Sequence, residues 1–323
     1  MATSRSKILA LSVLLTGAML FFKLAGDELH SRQVSTSDVH SGTETIAVLV
    51  LTSRSHKTQR DSIRQSWAKG HSNVYFVIGD RDCLTPPNYR TSPVVCMPDL
   101  QKRIPTLDIL AWQAELRKIE GEINAELQQN RQDMWLVNME DSYRGLARKL
   151  KLAYERAIIE TDASWFLKVD DDTYVDVPLT TKILQDAKFG QNRFVANSFR
   201  PGAVLRAGKW AEHAFDEDIY PSYPHGAGHA ITRDLATYVS LHKNSLFEYQ
   251  GEDVSMGIWI HQGPLEVDFI SSVAFEGHDG NCENASRAVI GHDISHKKML
   301  SCKHFRDIEG ISRNVPIMRA SAR

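Results

Sequence analysis

Short apolar runs alternate with helix-spaced apolar positions from residue 45 onward. Thr45–Leu51, Val74–Ile78 and Met134–Val137 are rich in β-branched and aromatic residues, which predicts buried strands. Thr58–Lys69 and Leu146–Ile159, which each follow one of these runs, carry apolar residues at the spacing of a helix. Because strands alternate with helices, the pattern predicts a parallel sheet covered by helices.

Other segments have different patterns. Leu107–Leu127 has apolar positions among many charges, so it is predicted to be an exposed amphipathic helix, a surface insertion without catalytic content. Tyr220–His229 is rich in glycine and proline and is predicted to be a loop whose backbone can approach a ligand closely. Val267–Phe269 and Val273–Phe275 are predicted to be short strands.

The apolar run Trp165–Val169 predicts a buried strand that ends abruptly at Asp170, Asp171 and Asp172. Three adjacent carboxylates repel one another and cannot stay buried without a partner, so a cation is expected beside them. Oxygen ligands suit a hard divalent ion such as Mg²⁺ or Mn²⁺. Strand alternation directs Asp170 and Asp172 to one side and Asp171 to the other. A solvated acidic turn is the alternative interpretation.

A second group of acidic residues follows Gly251. Glu252 and Asp253 open a predicted helix, where the helix dipole favours carboxylates and a side chain can face a cleft. Both carboxylates are therefore candidate general bases. Simple capping of the helix is the alternative.

Histidine and aromatic side chains supply further candidates. Imidazole is an accepted ligand for Mn²⁺, so the histidines near the C-terminus are candidate metal ligands, with an ordinary surface position as the alternative. These are His278, His292 and His296.

Several aromatic residues are candidates for stacking on sugar faces, with core packing as the alternative. These are Trp210, Tyr220, Tyr223, Phe247 and Tyr249.

Composition narrows the class of protein. The chain has 323 residues, 42% of them hydrophobic, which is enough for a sizeable core, and its net charge of -2 gives no electrostatic case for nucleic-acid binding. The four cysteines form two sequence-local pairs without a C-x-x-C spacing, so a zinc knuckle is not expected. In an oxidising compartment the natural disulfides are Cys83–Cys96 and Cys282–Cys302, and in the cytosol all four residues are free thiols.

The N-terminal sequence indicates the cellular compartment in which the chain is expected to lie. Arg5 and Lys7 precede the uncharged run Ile8–Phe22, which favours an uncleaved signal-anchor with a cytosolic N-terminus over a cleaved signal peptide. The polar stretch that follows is rich in Ser, Thr, His and Asp and indicates a flexible stem. The predicted order is therefore a cytoplasmic tail, a transmembrane anchor, a stem, a catalytic domain and a basic tail, at residues 1–7, 8–26, 27–44, 45–305 and 306–323.

Six motifs occur in order between residues 45 and 305, and the ordered set is far more specific than any one motif. They are Arg60-x-x-Ile63-Arg64-x-x-Trp67, Phe76-x-x-Gly79, Glu140-Asp141-Ser142-Tyr143-x-x-Leu146-x-x-Lys149, Asp170-Asp171-Asp172-Thr173-Tyr174-Val175, Tyr220-Pro221-x-Tyr223-x-x-Gly226-x-Gly228 and Glu252-Asp253-Val254-x-x-Gly257. In these motifs the chain resembles the β1,3-glycosyltransferases of the galactosyltransferase and Fringe superfamily, glycosyltransferase family 31. Within that family, the chain most resembles the β1,3-galactosyltransferase that extends the proteoglycan linker, in the segments Glu252–Trp259, Gly280-Asn281-Cys282 and Ile290-Gly291-His292.

The resemblance implies a GT-A fold, which is Rossmann-like with a mixed central sheet flanked by helices. It implies transfer of a hexose, galactose in the first instance, from a UDP-sugar to a glycan hydroxyl in β1,3 linkage, with inversion and with Mn²⁺ as cofactor. A single-pass Golgi membrane protein with a luminal domain is expected, acting on a glycan or glycoprotein. The alternatives are an N-acetylhexosaminyl donor, an inactive glycan-binding relative and a metal-dependent phosphohydrolase.

The resemblance also implies roles for residues around the acidic motifs. Asp172 is expected to be the direct metal ligand and His292 the second protein ligand. Asp170 and Asp171 are expected to hold the waters of the metal or the ribose and sugar of the donor. Asp253 is expected to be the base that deprotonates the acceptor hydroxyl.

The remaining implied roles concern the donor nucleotide. Thr52 and Arg60 are expected to contact the nucleotide, and Asp141 and Lys149 the phosphate or the nucleobase. The chain departs from the family at His229, where an aromatic residue is common. This departure bears on sugar and acceptor specificity more than on the class of reaction.

Overall fold

The computed structural model describes residues 45–186, 191–226, 228–275, 289–309 and 318–319. The predicted cytoplasmic tail, anchor and stem lie outside the described residues, as do His278 and Cys282. Within the described ranges, no helix combines the length and the apolar character needed to cross a membrane.

A mixed sheet of eight strands forms the centre of the described chain. The described residues form twelve strands, eight of them in this sheet: β1 Ile46–Leu51, β2 Val74–Arg81, β3 Met134–Glu140, β4 Trp165–Asp170, β5 Tyr174–Val175, β6 Arg193–Ala196, β7 Ser198–Ala203, β8 Ile219–His225, β9 Gly228–Thr232, β10 Asp268–Ser271, β11 Ile290–Gly291 and β12 Met318–Arg319. The main sheet has the order β12-β10-β6-β9-β4-β1-β2-β3. Strands β1 to β4 run parallel, whereas β9 is antiparallel to both β4 and β6. Two small sheets pair β5 with β11 and β7 with β8.

Helices cover both faces of this sheet. They are α1 Lys57–Gln65, α2 Thr106–Gln129, α3 Leu146–Glu160, α4 Val177–Asp186, α5 Arg233–Leu241, α6 Glu252–Gln262 and α7 His296–Glu309. Alternation along β1 sends Val48 to a core shared with α1, α4 and α7, and Leu49 to a core shared with α3, α5 and α6. The predicted fold class, a mixed central sheet flanked by helices, is therefore confirmed.

Two predicted elements are wrong. Tyr220–His229 is predicted to be a loop, but it contains most of β8 and the start of β9. Pro221 and Pro224 are tolerated in β8 because this strand belongs to a two-stranded sheet, where a missing backbone N–H can be accommodated. Val273–Phe275, predicted to be a strand, is a single 3-10 turn. Short apolar runs do not distinguish a strand from a buried turn.

The amphipathic helix predicted at Leu107–Leu127 is confirmed as α2, but it is more than a surface insertion. Ile123 packs into a small core with Ile78 of β2 and Met134 of β3. Glu126 is also buried, and its carboxylate accepts hydrogen bonds from Arg60 and Arg64 of α1. The C-terminal half of α2 therefore fixes α1 against the sheet.

The cysteines follow the pairing predicted for an oxidising compartment as far as the structure describes them. Cys83 and Cys96 form a disulfide within the loop after β2. Cys302 is also disulfide-bonded, and Cys282 lies outside the described residues. The helix α7 continues past residue 305, and β12 lies in the segment predicted to be the basic tail.

Candidate active site

A cavity of about 890 Å³ opens where the parallel strands β1 and β4 end. These strands pair so that Leu51 is opposite Asp170, and the residues directly after them, Thr52 and Asp171, line the cavity. The N-terminus of α6 forms a further wall and brings Asp253 to the same cavity. This is the position where open α/β sheets bind ligands.

The two acidic residues predicted to share one side lie beside the predicted histidine. The Nε2 atom of His292 is 3.3 Å from Oδ1 of Asp172 and 3.7 Å from Oδ2 of Asp170. One ligand atom from each of the three residues lies within 4.8 Å of the others. The Asp172 Oδ1 atom is buried and has no well-aligned hydrogen bond among the described residues. Two carboxylates and one imidazole in this arrangement suit a divalent cation such as Mn²⁺.

The middle aspartate points the other way and fixes the loop after β1. The hydroxyl of Thr52 donates to Oδ2 of Asp171 at 2.5 Å, and Nδ1 of His56 lies 2.7 Å from the same oxygen. The hydrogen bond to Asp171 raises the pKa of His56 above its ordinary value. The predicted alternation of the three aspartates is therefore observed.

Asp141 and Lys149 form a buried ion pair in the cavity wall. The Lys149 ammonium donates to Oδ1 of Asp141 and to the carbonyl oxygen of Thr52, both at 2.6 Å. The other carboxylate oxygen of Asp141 accepts the backbone N–H of Arg54 at 2.9 Å. Both residues line the cavity, and together they tie α3 to the loop after β1.

Arg60 is not brought to the cavity. Its guanidinium is fully buried, pairs with Glu126 at 2.6 Å and donates to the backbone carbonyls of Ser53 and Arg54. It therefore supports the loop from behind, and the geometry offers it no direct contact with a nucleotide. The sequence motif identified an important arginine, but the buried partner that sets its role lies on α2.

Asp253 lies at the start of α6, after Gly251, whose φ of 90° turns the chain into the helix. Its Oδ1 atom lies 3.2 Å from Nδ1 of His229 and 3.7 Å from Nζ of Lys168. Burial works to raise the pKa of Asp253, but Lys168 and His229 outweigh it and lower the pKa to about 2. Asp253 is therefore ionised at neutral pH and able to accept a proton.

Lys168 was not singled out from the sequence. Its side chain is fully buried, and its ammonium pairs with Asp170 at 3.1 Å, with Glu252 and with Asp253. Burial alone would lower the pKa of Lys168, but these carboxylates hold it well above its ordinary value. Because one ammonium cannot neutralise three carboxylates, Glu252 protonates most readily, and burial raises its pKa to about 7. The available signal was a lysine inside an otherwise apolar strand.

Aromatic side chains also line the cavity. Trp210 is 56% exposed, and its Nε1–H donates to the hydroxyl of Tyr143 at 3.1 Å. Tyr220 and Tyr223 also line the cavity. Tyr220 is buried in a small apolar core with Val204 and Ile258, and Tyr223 and Tyr249 pack against that core, as the core-packing alternative predicts. Phe247 lies outside this cavity and lines a second, smaller one.

Comparison with known proteins gives one family match and several partial relatives. The galactosyltransferase family model matches residues 102–269, which are 168 of the 323 residues. The human UDP-GalNAc:beta-1,3-N-acetylgalactosaminyltransferase 2 is 36% identical over 129 residues, which cover 40% of this chain and 26% of that protein. The hydroxyproline O-galactosyltransferase GALT6 of Arabidopsis thaliana is 29% identical over 164 residues, which cover 48% of this chain and 24% of that protein. The matched part of this chain thus spans about a quarter of the length of these relatives.

Solved structures include the galactosyltransferase LgtC in complex with donor and acceptor sugar analogs. It aligns with 13% sequence identity and a TM-score of 0.33, over 84% of this chain and 97% of that one.

Proposed function

Because this chain belongs to the galactosyltransferase family, we propose that it transfers a hexose from a UDP-sugar to a glycan hydroxyl, with inversion and in β1,3 linkage. One observation carries the proposal. The cluster of Asp170, Asp172 and His292 and the ionised carboxylate of Asp253 face the same cavity. Such a cavity offers a site for a metal-bound diphosphate and a base for the acceptor.

The residues present fit a divalent cation. Their donor atoms are carboxylate oxygen and imidazole nitrogen, they lie close together, and the buried Asp172 Oδ1 atom lacks a well-aligned hydrogen bond among the described residues. Asp170, Asp172 and His292 would hold the ion, and Thr52 and His56 keep Asp171 directed away from it. When bound, Mn²⁺ supplies Lewis-acid stabilisation to the diphosphate leaving group.

The base completes the proposed reaction. Asp253 accepts the proton of the acceptor hydroxyl while the acceptor oxygen forms its bond to the anomeric carbon. The bond between that carbon and the UDP oxygen breaks at the same time, and UDP leaves with the electron pair. A single displacement needs one base and no protein nucleophile, which distinguishes it from the two-step retaining route.

Galactose is the first proposed donor, since the family model and the Arabidopsis relative are both named for galactosyl transfer. N-acetylgalactosamine is the second candidate, because the human relative named for that donor has higher identity, 36% against 29%. The exposed Trp210 beside Tyr143 suits the face of a sugar from either substrate.

A donor screen tests this function. The full chain is incubated with Mn²⁺ and each of UDP-galactose, UDP-N-acetylgalactosamine and UDP-N-acetylglucosamine, with and without a panel of glycan acceptors, and UDP release is measured. We expect acceptor-dependent release with one donor and an inverted product. UDP release at the same rate with and without an acceptor would indicate a hydrolase, and no UDP release with any donor would indicate an inactive relative. Either result contradicts the proposal.

We further propose that this reaction takes place in the Golgi lumen, with residues 8–26 as the anchor. The Cys83–Cys96 disulfide supports this, because disulfides persist in oxidising compartments. Protease treatment of intact Golgi vesicles should leave the catalytic domain uncut until detergent is added. Cleavage without detergent would contradict a luminal position.

A further inference from the structure

His229 occupies a buried position between the candidate base and a tyrosine on α3. Its Nδ1 atom lies 3.2 Å from Oδ1 of Asp253, and its Nε2 atom lies 3.0 Å from the hydroxyl of Tyr154. The imidazole and the tyrosine are both fully buried. Both ring nitrogens of His229 therefore have a protein partner, one of them the carboxylate that the proposed reaction uses.

The strand register explains why His229 reaches Asp253. His229 on β9 is directly opposite Lys168 on β4, and residues opposite each other in an antiparallel pair point to the same face. Gly228 permits this close pairing, because a Cβ atom there would lie 2.5 Å from the carbonyl oxygen of Lys168. Lys168 and His229 therefore approach the same carboxylate from neighbouring strands.

The directions of the two hydrogen bonds follow from the partners. Burial lowers the pKa of His229, so the imidazole is neutral and has one N–H. Asp253 is ionised and only accepts, so the proton of the imidazole lies on Nδ1. The Nε2 atom is then an acceptor, and the Tyr154 hydroxyl donates to it. Two consecutive hydrogen bonds, from Tyr154 to His229 and from His229 to Asp253, thus end at one oxygen of Asp253.

We propose that His229 is a positioning residue that orients the Asp253 carboxylate, with Tyr154 fixing the tautomer of the imidazole. This inference rests on the proposed role of Asp253 as the base. The Nδ1–H bond holds one carboxylate oxygen toward the protein, and the other oxygen is left to face the acceptor.

Three variants of the full chain test this role. His229→Leu removes both hydrogen bonds, His229→Asn keeps an N–H donor near the position of Nδ1, and Tyr154→Phe removes only the donor to Nε2. We expect His229→Leu to lower kcat about 10- to 100-fold, the effect of one hydrogen bond to a charged group, with the KM for donor and the affinity for UDP unchanged. His229→Asn should recover most of the loss, and Tyr154→Phe should lie between the two.

A second measurement does not depend on activity. In ¹⁵N-histidine-labelled full chain, the His229 resonances, assigned by their loss in His229→Asn, should show a neutral ring with its proton on Nδ1. A ring with its proton on Nε2, or an imidazolium near neutral pH, would overturn the proposal.

The kinetic outcomes separate the two proposals. If the wild-type chain transfers the sugar and folded His229→Leu has the same kcat, the role of His229 is overturned, while the proposed function stands. Equal losses of kcat in His229→Leu and His229→Asn would do the same, since a donor near Nδ1 would then have no effect. No transfer by the wild-type chain would overturn the proposed function, and the role of His229 with it.

Discussion

Lys168 joins the two chemically distinct ends of the cavity. Its ammonium contacts Asp170 at the candidate metal cluster and Asp253 at the candidate base, and both contacts come from one fully buried side chain. A charge shared in this way holds the two carboxylates at a fixed separation. One residue on β4 therefore links the candidate metal cluster to the candidate base.

Asp253→Asn is the sharpest test of the base. The amide keeps the shape of the side chain but cannot accept the acceptor proton, so we expect transfer to fall by about 10²- to 10⁴-fold. UDP affinity should stay close to that of the wild type, because Asp253 is not part of the candidate metal cluster that would hold the diphosphate. Transfer kinetics and calorimetric UDP binding measure the two effects.

Asp218→Asn is the matched control for this substitution, since its side chain is 99% exposed. It should leave both transfer and UDP binding unchanged. Near-normal turnover in Asp253→Asn would show that the base is another group.

The acidic residues could be predicted from the sequence, whereas their partners could not. Asp170–Asp172 end an apolar run and Asp253 opens a helix, and both signals are local in the chain. Lys168 is 84 residues from Glu252, and His229 is 24 residues from Asp253, so only the tertiary structure brings these pairs together. Arg60 shows the converse, because its motif was recognisable but its burial against Glu126 was not.

At the scale of elements, helix α6 packs unusually close to β8 at Gly257. A Cβ atom on Gly257 would lie 2.4 Å from the Cβ and 2.7 Å from the Cα of Tyr223, and backbone cannot move aside cheaply. Gly257→Ala should therefore destabilise the protein by about 1–3 kcal/mol and displace the helix that carries Asp253. Urea unfolding and kcat measure these effects.

Gly121→Ala on α2 serves as the control for Gly257, because a Cβ atom there meets no atom within 4 Å. Alanine is favoured over glycine inside an exposed helix, so this change should stabilise the protein by up to about 1 kcal/mol. Equal effects of the two substitutions would argue against a close contact between α6 and β8.

Helices α1 and α2 are joined by a buried cluster of Glu126 with Arg60 and Arg64. Burial would raise the pKa of Glu126, but the two guanidinium groups outweigh it and hold the pKa below the ordinary value of 4.5. The ionised carboxylate of Glu126 therefore stabilises the fold fully above pH 4.5, its ordinary pKa. This stabilisation is lost as the pH falls through the lower pKa that Glu126 has in the folded protein. Glu126→Gln should destabilise the protein at pH 7 by about 3 kcal/mol and should remove this part of the acid sensitivity.

Urea unfolding of the wild type and of Glu126→Gln at pH 7 and pH 3 measures both effects. The control is Glu122→Gln, an exposed residue one turn earlier on α2, which should keep the stability and acid sensitivity of the wild type. If Glu126→Gln matches that control at pH 7, the buried cluster does not hold α1 and α2 together.

Element prediction succeeded where one face or both faces of a segment had a strong apolar pattern. The strands β1 to β4 and the helices α1 to α3 have such patterns and were found near their predicted bounds. The strand β8 is not predicted from the sequence because its two prolines are typical of a loop and its burial does not alternate clearly along the segment. The buried end of α2 was missed because Glu126 has no apolar signature.

At the scale of the whole molecule, cation binding should stabilise the native fold. Unfolded chain lacks the cluster of Asp170, Asp172 and His292, so Mn²⁺ at 100 times its Kd should add about 2.7 kcal/mol to the free energy of unfolding. EDTA should abolish both this stabilisation and transfer, and added Mn²⁺ should restore both. Thermal unfolding and transfer assays measure the two effects.

Asp172→Asn should remove most of the Mn²⁺-dependent stabilisation, while the exposed-site variant Asp218→Asn should retain it. If EDTA changes neither the activity nor the unfolding temperature of the wild-type chain, the metal role of Asp170, Asp172 and His292 is contradicted.

The position of His292 has a consequence for how the site comes into being during synthesis. Asp170 and Asp172 follow β4, whereas His292 follows β11, which reaches them through its pairing with β5. A nascent chain that has left the ribosome as far as α6 already contains the candidate base and the two acidic residues of the candidate cluster, yet it lacks the imidazole. The proposed cation cluster is therefore complete only after residue 292 has been synthesised and β11 has paired with β5.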